Sequence, residues 1–447
     1  MITHSRALAT LYALWRNQRV AREDIAAFQN QRLRLLVQHA YANVPYHRRL
    51  LDRHGVKPGD IRGVADLPAI PVTSKRDLQL LPKEDVVARG VDPRRLITRR
   101  TSGSSGEPFS IHRTSLETRL LRAVRLRAMH DFGLRPADTV ASVILARPPH
   151  PRDHPFPVSV LRSLGLYRHK LLNCLSPARD ILRELRECSP DVVGGFGGVL
   201  SQMAQVMTED DRLAVRPRFV AVGGEVLTPL MRRQIAEAFN APVFELYTSV
   251  ECMTIAWECT ERGELHTCDD SVIVEVLKDG SPVRPGERGE IVVTSLHSFA
   301  MPFLRYRLGD VVTQGAETCR CGRPFGTIRA VQGRMIDYFP LPGGRLIHPY
   351  DIVAILLQDA EPWLRAYRLL QDRGDRIVLN AVPSVAPTSS QLCRLHTAVA
   401  AVLGQGVEFQ VRLVSEIALE ESGKFRLARS LLRSNYDGID WNSQHSL

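Results

Sequence analysis

From Ala178 to Leu246 short apolar runs of strand length alternate with helical segments, and this alternation constrains the fold more than any other feature of the chain. Ala178 to Cys188 has helical spacing, Val192-Val193 is short and extended, and Val199 to Met207 is helical again. Phe219-Val-Ala-Val222 reads as a strand, Leu230 to Phe239 as a helix and Val243 to Leu246 as a strand. That order predicts a parallel sheet with helices on both faces. In such a sheet ligand loops lie at the carboxyl ends of the strands. Gly223-Gly-Glu225 and Tyr247-Thr-Ser-Val-Glu251 each follow a strand directly and so stand at that edge.

The flanking regions are built differently. Ile25 to Ala42 is an amphipathic helix ended by Asn43-Val-Pro-Tyr46, and a second short helix runs to about Leu51. Asp66 to Lys75 is extended and broken by proline, with Thr73 or Ser74 placed to cap the next helix. Leu116 to His130 is an Arg-bearing helix, and Val140 to Leu145 is a buried-strand candidate. Arg147 to Pro157 is a Pro-rich loop carrying His150 and His154. From Val272 onward short β-runs separated by Gly/Pro turns (Val272–Val276, Glu290–Thr294, Val311–Val312) point to a second, mostly antiparallel piece. After Gly333-Arg334 comes a small α/β segment: Ile352–Leu357 helical, Arg376–Leu379 a strand, Gln391–Leu403 helical and Glu408–Val414 a strand. A chain of 447 residues exceeds one compact core. The expected class is α/β: a large N-terminal domain over residues 1–333, with parallel-rich sheets flanked by helices and a β-rich subdomain at 272–333, then a small α/β domain over 334–447.

Charge and cysteine usage limit the partners. Lys plus Arg (59) exceed Asp plus Glu (48), giving +11, which favours anionic ligands such as nucleotides or coenzyme A. The basic residues are scattered pairs without a Lys/Arg tract or aromatic interleaving, so nucleic acid is not the expected partner. No apolar run approaches the roughly 18 residues of a membrane span, and no secretory signal opens the chain, so a cytoplasmic protein is expected, monomeric or homodimeric. Eight cysteines in such a chain do not form a disulfide framework. Cys174, Cys188 and Cys393 read as core thiols, whereas Cys252, Cys259, Cys268, Cys319 and Cys321 crowd into one region. Cys319-x-Cys321 with Cys259 and His266 offers the donors of a closed tetrahedral zinc site, Cys268 being an alternative fourth ligand.

The stretch Thr101-Ser-Gly-Ser-Ser-Gly-Glu-Pro108 is the remaining distinctive feature. Alone it is equally a flexible linker, but its glycines and hydroxyls can also wrap phosphate oxygens. It is not a Walker A loop, because the Lys-Ser/Thr ending is missing. Together with Tyr247-Thr-Ser-Val-Glu251, Tyr306-Arg-Leu-Gly-Asp310, Gly333-Arg334 and Ser422-Gly-Lys424, in that order, it resembles the motif set of the adenylate-forming superfamily. Within it, the entry segment Val37 to Tyr46 and Asp66-Leu-Pro68 are similar to the phenylacetate–CoA ligase family, including its polysaccharide-associated relatives.

The resemblance implies ATP-dependent activation of a carboxylic acid to an acyl-adenylate, followed by transfer to a thiol, with coenzyme A the expected acceptor. An amine or sugar hydroxyl is the alternative acceptor, which would make the chain an amide or ester synthetase. Thr101, Ser102, Gly103, Ser104, Ser105 and Gly106 would wrap the β- and γ-phosphates, and Glu251 would hold Mg²⁺. Asp310 would accept the ribose hydroxyls, and Arg334 would lie near ribose and phosphate. Gly223, Gly224 and Glu225 would line the adenine slot, with Tyr247, Thr248 and Ser249 beside it. Gly195 and Phe196 fall where the family places the acyl pocket. Lys424 would stabilise charge at the α-phosphate, on a small domain that is mobile between the two half-reactions. After Gly333-Arg334 the chain departs from the pattern: Met335-Ile336-Asp337 puts Ile336 where the family has a hinge carboxylate.

Overall fold

A computed structural model describes residues 12–100, 109–145, 164–261, 263–334, 338–360, 363–420 and 422–432. The hydroxyl loop Thr101–Pro108, the Pro-rich loop at 147–157 and Met335–Asp337 lie outside the described residues, as does the side chain of Arg334.

The two strands flanking the hydroxyl loop, β1 (Leu96–Arg100) and β2 (Ser110–Thr114), pair antiparallel, with Arg100 opposite Ser110. The predicted parallel sheet is present. It consists of β3 (Thr139–Ile144), β4 (Arg168–Asn173), β5 (Val192–Gly195), β6 (Phe219–Gly223) and β7 (Val243–Ser249), in the order 4-3-5-6-7. Its faces explain its apolar texture. Val192, Phe219 and Ala221 pack with the helix Ser115–Asp131 on one side. Their neighbours Val193, Val220 and Val222 point the other way, into the helices Ala178–Cys188, Gly197–Val206 and Pro229–Phe239. Both faces are covered, so the central strands β5 and β6 leave no position polar for water, unlike the edge strand β4.

The antiparallel texture downstream is also present. The strands are β8 (Met253–Glu258), β9 (Leu265–Thr267), β10 (Val272–Lys278), β11 (Ser281–Pro282), β12 (Arg288–Ser295), β13 (Tyr306–Gln314) and β14 (Thr327–Arg334). They continue the parallel block edge to edge in the order 7-8-9-14-13-12-10-11, making one twelve-stranded sheet. Past a short pair, β15 (Phe339–Pro340) and β16 (Leu346–Ile347), a second sheet forms. It comprises β17 (Leu364–Arg373), β18 (Arg376–Pro383), β19 (Glu408–Leu413) and β20 (Ala428–Ser430), in the order 19-18-17-20. The helix Ser389–Leu403 covers it through Leu395, Val399 and Leu403. Of the thiols read as core, Cys174 is buried, Cys188 is half-buried and Cys393 is exposed on that helix. Among the described residues no helix is long and apolar enough to cross a membrane.

Buried polar contacts fasten helices to the large sheet and brace its own connections. His47 Nε2 lies 3.0 Å from the Pro302 carbonyl, and His297 Nε2 lies 3.0 Å from that of Asp270. Arg127 and Asp270 form a fully buried ion pair (3.0 Å for the second contact), with the guanidinium 5.1 Å from the rings of both Trp257 and Phe325. Burial holds the imidazoles of His47 and His297 down at about 4, so both are neutral donors at pH 7. The unfolded chain protonates each near its ordinary value of 6.5 while the folded chain does not. Stability contributed by these groups is therefore lost as pH falls from 6.5 towards 4. His47→Gln, which can still donate to the Pro302 carbonyl, is expected to lose about one proton of that slope in denaturation measured across the range. An unchanged slope would contradict the neutral buried imidazole.

Candidate active site

The site grows from the carboxyl ends of β6 and β7, where the parallel half of the sheet meets the antiparallel half. β7 runs straight into Tyr247-Thr-Ser-Val-Glu251, and β13 crosses nearby carrying Tyr306 and Asp310. β13 is bulged between Arg307 and Val311, with Gly309 at φ +79°, and Tyr306 and Asp310 stand on either side of that irregularity. Each meets one member of the β7 segment. The Tyr247 hydroxyl donates to Asp310 Oδ2 at 2.6 Å, and the Tyr306 hydroxyl lies 3.5 Å from Glu251 Oε1. Burial and the neighbouring Glu251 push the Tyr306 phenol well above its ordinary value, so it remains a donor. Arg334, at the end of β14, is the cross-strand partner of Asp310.

Two further contacts fix the Glu251 turn. The Ser249 hydroxyl accepts the Cys252 N–H at 3.0 Å. The Arg113 guanidinium, on β2, donates to the carbonyls of Val250 and Glu251. Arg113 is 5% exposed, and burial lowers its pKa. It ties the strand that follows the hydroxyl loop to the acidic turn, a contact no local sequence pattern marks. The helix after β2 starts with Thr114 and Glu117 as a capping box. The second Glu117 oxygen accepts the Phe299 and Ala300 N–H groups at 2.6 and 2.7 Å, which holds β2 against the antiparallel half.

The second group of expected site residues gathers at the end of β6. A Cβ on Gly223 would lie 2.7 Å from the Leu246 carbonyl oxygen, so only glycine allows the two strands to approach there. Gly224 has φ +85° and faces the Phe196 ring, which a Cβ would meet at 3.0 Å. Gly195 ends β5 under a similar restriction, 2.8 Å from the Val143 carbonyl. Lys424 arrives from the C-terminal segment, its Nζ 5.6 Å from the centre of the Phe196 ring. The Glu225 carboxylate accepts the Gly198 N–H and, at 2.7 Å, the Phe425 N–H. Burial pushes the Glu225 carboxyl up to about 7, against the pull of those two bonds and of Lys424. Thus Phe196, Gly224, Glu225 and Lys424 form one cluster and Tyr247, Ser249, Glu251 and Asp310 another, side by side on adjacent strands. Thr248 lies between them on β7.

The cysteine group is separate from both. Sγ of Cys259, Cys319 and Cys321 and a ring nitrogen of His266 all lie within 4.8 Å of one another. Cys259 and Cys319 sulfurs are 3.8 Å apart, and Cys321 Sγ is 3.2 Å from His266 Nε2. Zinc–thiolate bonds of about 2.3 Å give a tetrahedron edge of roughly 3.8 Å, so the spacing suits that ion. Cys268, the alternative fourth ligand, is instead fully buried near Arg127, and Cys252 is buried in the acidic turn.

No protein-family model matches the chain. Its sequence is similar to the phenylacetate-coenzyme A ligase of Thermus thermophilus, 28% identical over 75% of this chain and 76% of that protein. The Escherichia coli phenylacetate-coenzyme A ligase is 26% identical over 72% of this chain and 74% of its own length. Protein CapK of Staphylococcus aureus is 20% identical, over 91% of this chain and 89% of its own. Among solved structures, a 2-hydroxyisobutyryl-CoA ligase in its postadenylation state with 2-HIB-AMP superposes with a TM-score of 0.77 at 21% identity, covering 93% of this chain and 91% of that one. The same ligase in its thioesterification state, with 2-HIB-AMP and CoA, gives 0.62 at 22% identity over the same shares.

Proposed function

We propose that this chain, an adenylate-forming protein related to the phenylacetate–CoA ligases, activates a carboxylic acid with ATP and transfers the acyl group to coenzyme A. The observation that carries the reading is the meeting of Tyr247 with Asp310, and of Glu251 with Tyr306, beside the Lys424 cluster. A carboxylate oxygen of the acid attacks the α-phosphorus of ATP, the bond to the bridging oxygen breaks, and pyrophosphate leaves. The thiolate of coenzyme A then attacks the acyl carbon and AMP leaves.

The chain's own groups divide this work. Asp310, oriented by the Tyr247 hydroxyl, holds the ribose, with Arg334 across from it on β14. Gly223, Gly224 and Tyr247 line the adenine, and Ser102 to Gly106 take the terminal phosphates. Glu251 would hold Mg²⁺, which neutralises phosphate charge when bound. Lys424 places a fixed positive charge where negative charge builds on the α-phosphate. Phe196 is the proposed wall of the acyl pocket, within reach of Lys424. The division at 333/334 and a moving C-terminal part belong to the same reading. The higher TM-score against the postadenylation state than against the thioesterification state supports taking the present arrangement as the adenylating one. With ATP and coenzyme A as substrates and eight unpaired thiols, the cytoplasm is the proposed compartment. Transfer to an amine or hydroxyl instead of a thiol is favoured by one feature, the loss of the hinge carboxylate at Ile336. Pyrophosphate exchange with an acid, without consumption of coenzyme A, would select that second reading.

Pyrophosphate exchange across a panel of carboxylic acids tests the activity directly, and Lys424→Ala is expected to lower the adenylation rate about 10²–10³-fold while acid binding persists. Near-native adenylation in that variant would remove Lys424 from the chemistry. For the cysteine group, we propose one structural zinc ion held by Cys259, His266, Cys319 and Cys321, clamping the β8–β9 turn to the segment between β13 and β14. Metal analysis of purified protein is expected to give about one zinc per chain, and Cys319→Ser to lose it with a fall in Tm. Protein that is fully folded and zinc-free would overturn that assignment.

A further inference from the structure

We infer that the Glu225 carboxylate is a latch that docks the Lys424 loop for adenylation, a positioning residue and not a nucleotide contact. The inference rests on the acid-activating function proposed above. Glu225 stands between two parts of the molecule. One oxygen accepts the N–H of Gly198, in the first turn of the helix Gly197–Val206, where backbone donors have no partner within the helix. The other accepts the N–H of Phe425, the residue after Lys424, at 2.7 Å. Only a carboxylate offers two acceptor oxygens and no donor in this space.

The Lys424 loop is already rigid on its own side. The Arg368 guanidinium, on β17, donates to the carbonyls of Arg426 at 2.9 Å and Ala418 at 2.8 Å, and lies 5.1 Å from the Phe425 ring. What remains is to seat this loop on the large sheet, and the fit is close. A Cβ on Gly198 would lie 2.2 Å from the Phe425 Cβ, and one on Gly423 would lie 2.2 Å from Cys174 Sγ. Around this contact Phe425 enters the core of the large part, with Ile417, Leu419 and Leu427 packed on it. A cavity of about 670 Å³ opens beside it, between the helix Gly197–Val206, β17 and residues 415–420. Elsewhere Gln202 donates to the Ile417 carbonyl at 3.1 Å and Gln234 to the Arg365 carbonyl at 2.8 Å across the gap. Neither is near Lys424 in sequence. The Phe425–Glu225 bond is adjacent to it, so losing it shifts the lysine while leaving the acceptor chemistry intact.

Glu225→Gln keeps the volume but turns one acceptor into an NH₂ group facing an N–H donor. Gly198→Ala obstructs the same seat from the other side. Both variants are expected to slow acyl-adenylate formation about tenfold or more relative to thioester formation from supplied acyl-adenylate. A parallel fall in both half-reactions, or a rise in the KM for ATP alone, would overturn the latch. A readout independent of catalysis is the labelling of Cys174, which is 2% exposed beneath Gly423. Alkylation of the Cys174 peptide, followed by mass spectrometry, is expected to quicken about tenfold in both variants. Labelling as slow as in the unsubstituted protein would overturn the latch whatever the activity. Failure of the unsubstituted protein to activate any acid, with Cys174 labelling still quickened by the variants, would instead count against the proposed function and leave the docking contact standing.

Discussion

Two tyrosine hydroxyls join the halves of the large sheet at the point where its chemistry would take place. Tyr247 belongs to the last parallel strand and reaches Asp310 on an antiparallel one, while Tyr306 reaches back from that antiparallel strand towards Glu251. The pairs run in opposite senses, so neither segment can slide along the other without breaking one of them. Each leaves a carboxylate oriented by a phenolic donor, and burial with the neighbouring Glu251 holds the Tyr306 phenol well above its ordinary value. A carboxylate aimed in this way keeps its second oxygen's direction fixed as well, which is what binding a vicinal diol or a cation asks of it.

Support for those two pairs comes from groups that touch neither acid. Arg113 holds the carbonyls of the Glu251 turn, and Glu117 holds the backbone at Phe299 and Ala300, a few residues before β13 begins. Both sit next to the hydroxyl loop in sequence, on β2 and the helix that follows it. The strand leading out of that loop is therefore anchored to the acidic turn and to the approach of β13 alike. Buried guanidinium groups used in this manner cost desolvation, and multiple backbone acceptors offset it.

This internal use of arginine also explains what composition could and could not convey. The excess of +11 suggested an anionic partner, yet Arg113, Arg127, Arg305 and Arg368 are engaged inside the fold with carbonyls and carboxylates. The central parallel strands were legible because each is apolar on both faces, and the helix expected over Ile25–Ala42 runs Arg22–Asn43, its end set by the Val-Pro step. β4, with the sequence Arg-His-Lys-Leu-Leu-Asn, was not legible, because an edge strand tolerates polar residues that a central one does not. β5 runs two residues beyond its apolar pair, since Gly194 and Gly195 extend it where the neighbouring backbone approaches closely. The motifs that bring Tyr247, Glu251, Tyr306 and Asp310 together are visible in the sequence. The roles of Arg113 and Arg368 are not, because their partners lie 137 and 58 residues away and no local pattern marks them.

The junction with the C-terminal part follows a different physical rule from the sheet. Inside the sheet, burial is nearly complete and contacts are continuous, which makes the arrangement permanent. At the junction a cavity persists, glycines at 198, 224 and 423 allow backbone to come close without interlocking side chains, and directional bonds hold the seat. Phe425 is buried in the core of the large part and Leu230 in that of the C-terminal part, so apolar contact supplies adhesion while the directional bonds set the position. A carboxylate pushed up to about 7 by burial is a strained member of that set, because separating the parts returns it to water. The seat is thus defined by direction as well as by apolar contact, which is what the role proposed for Lys424 would ask of it.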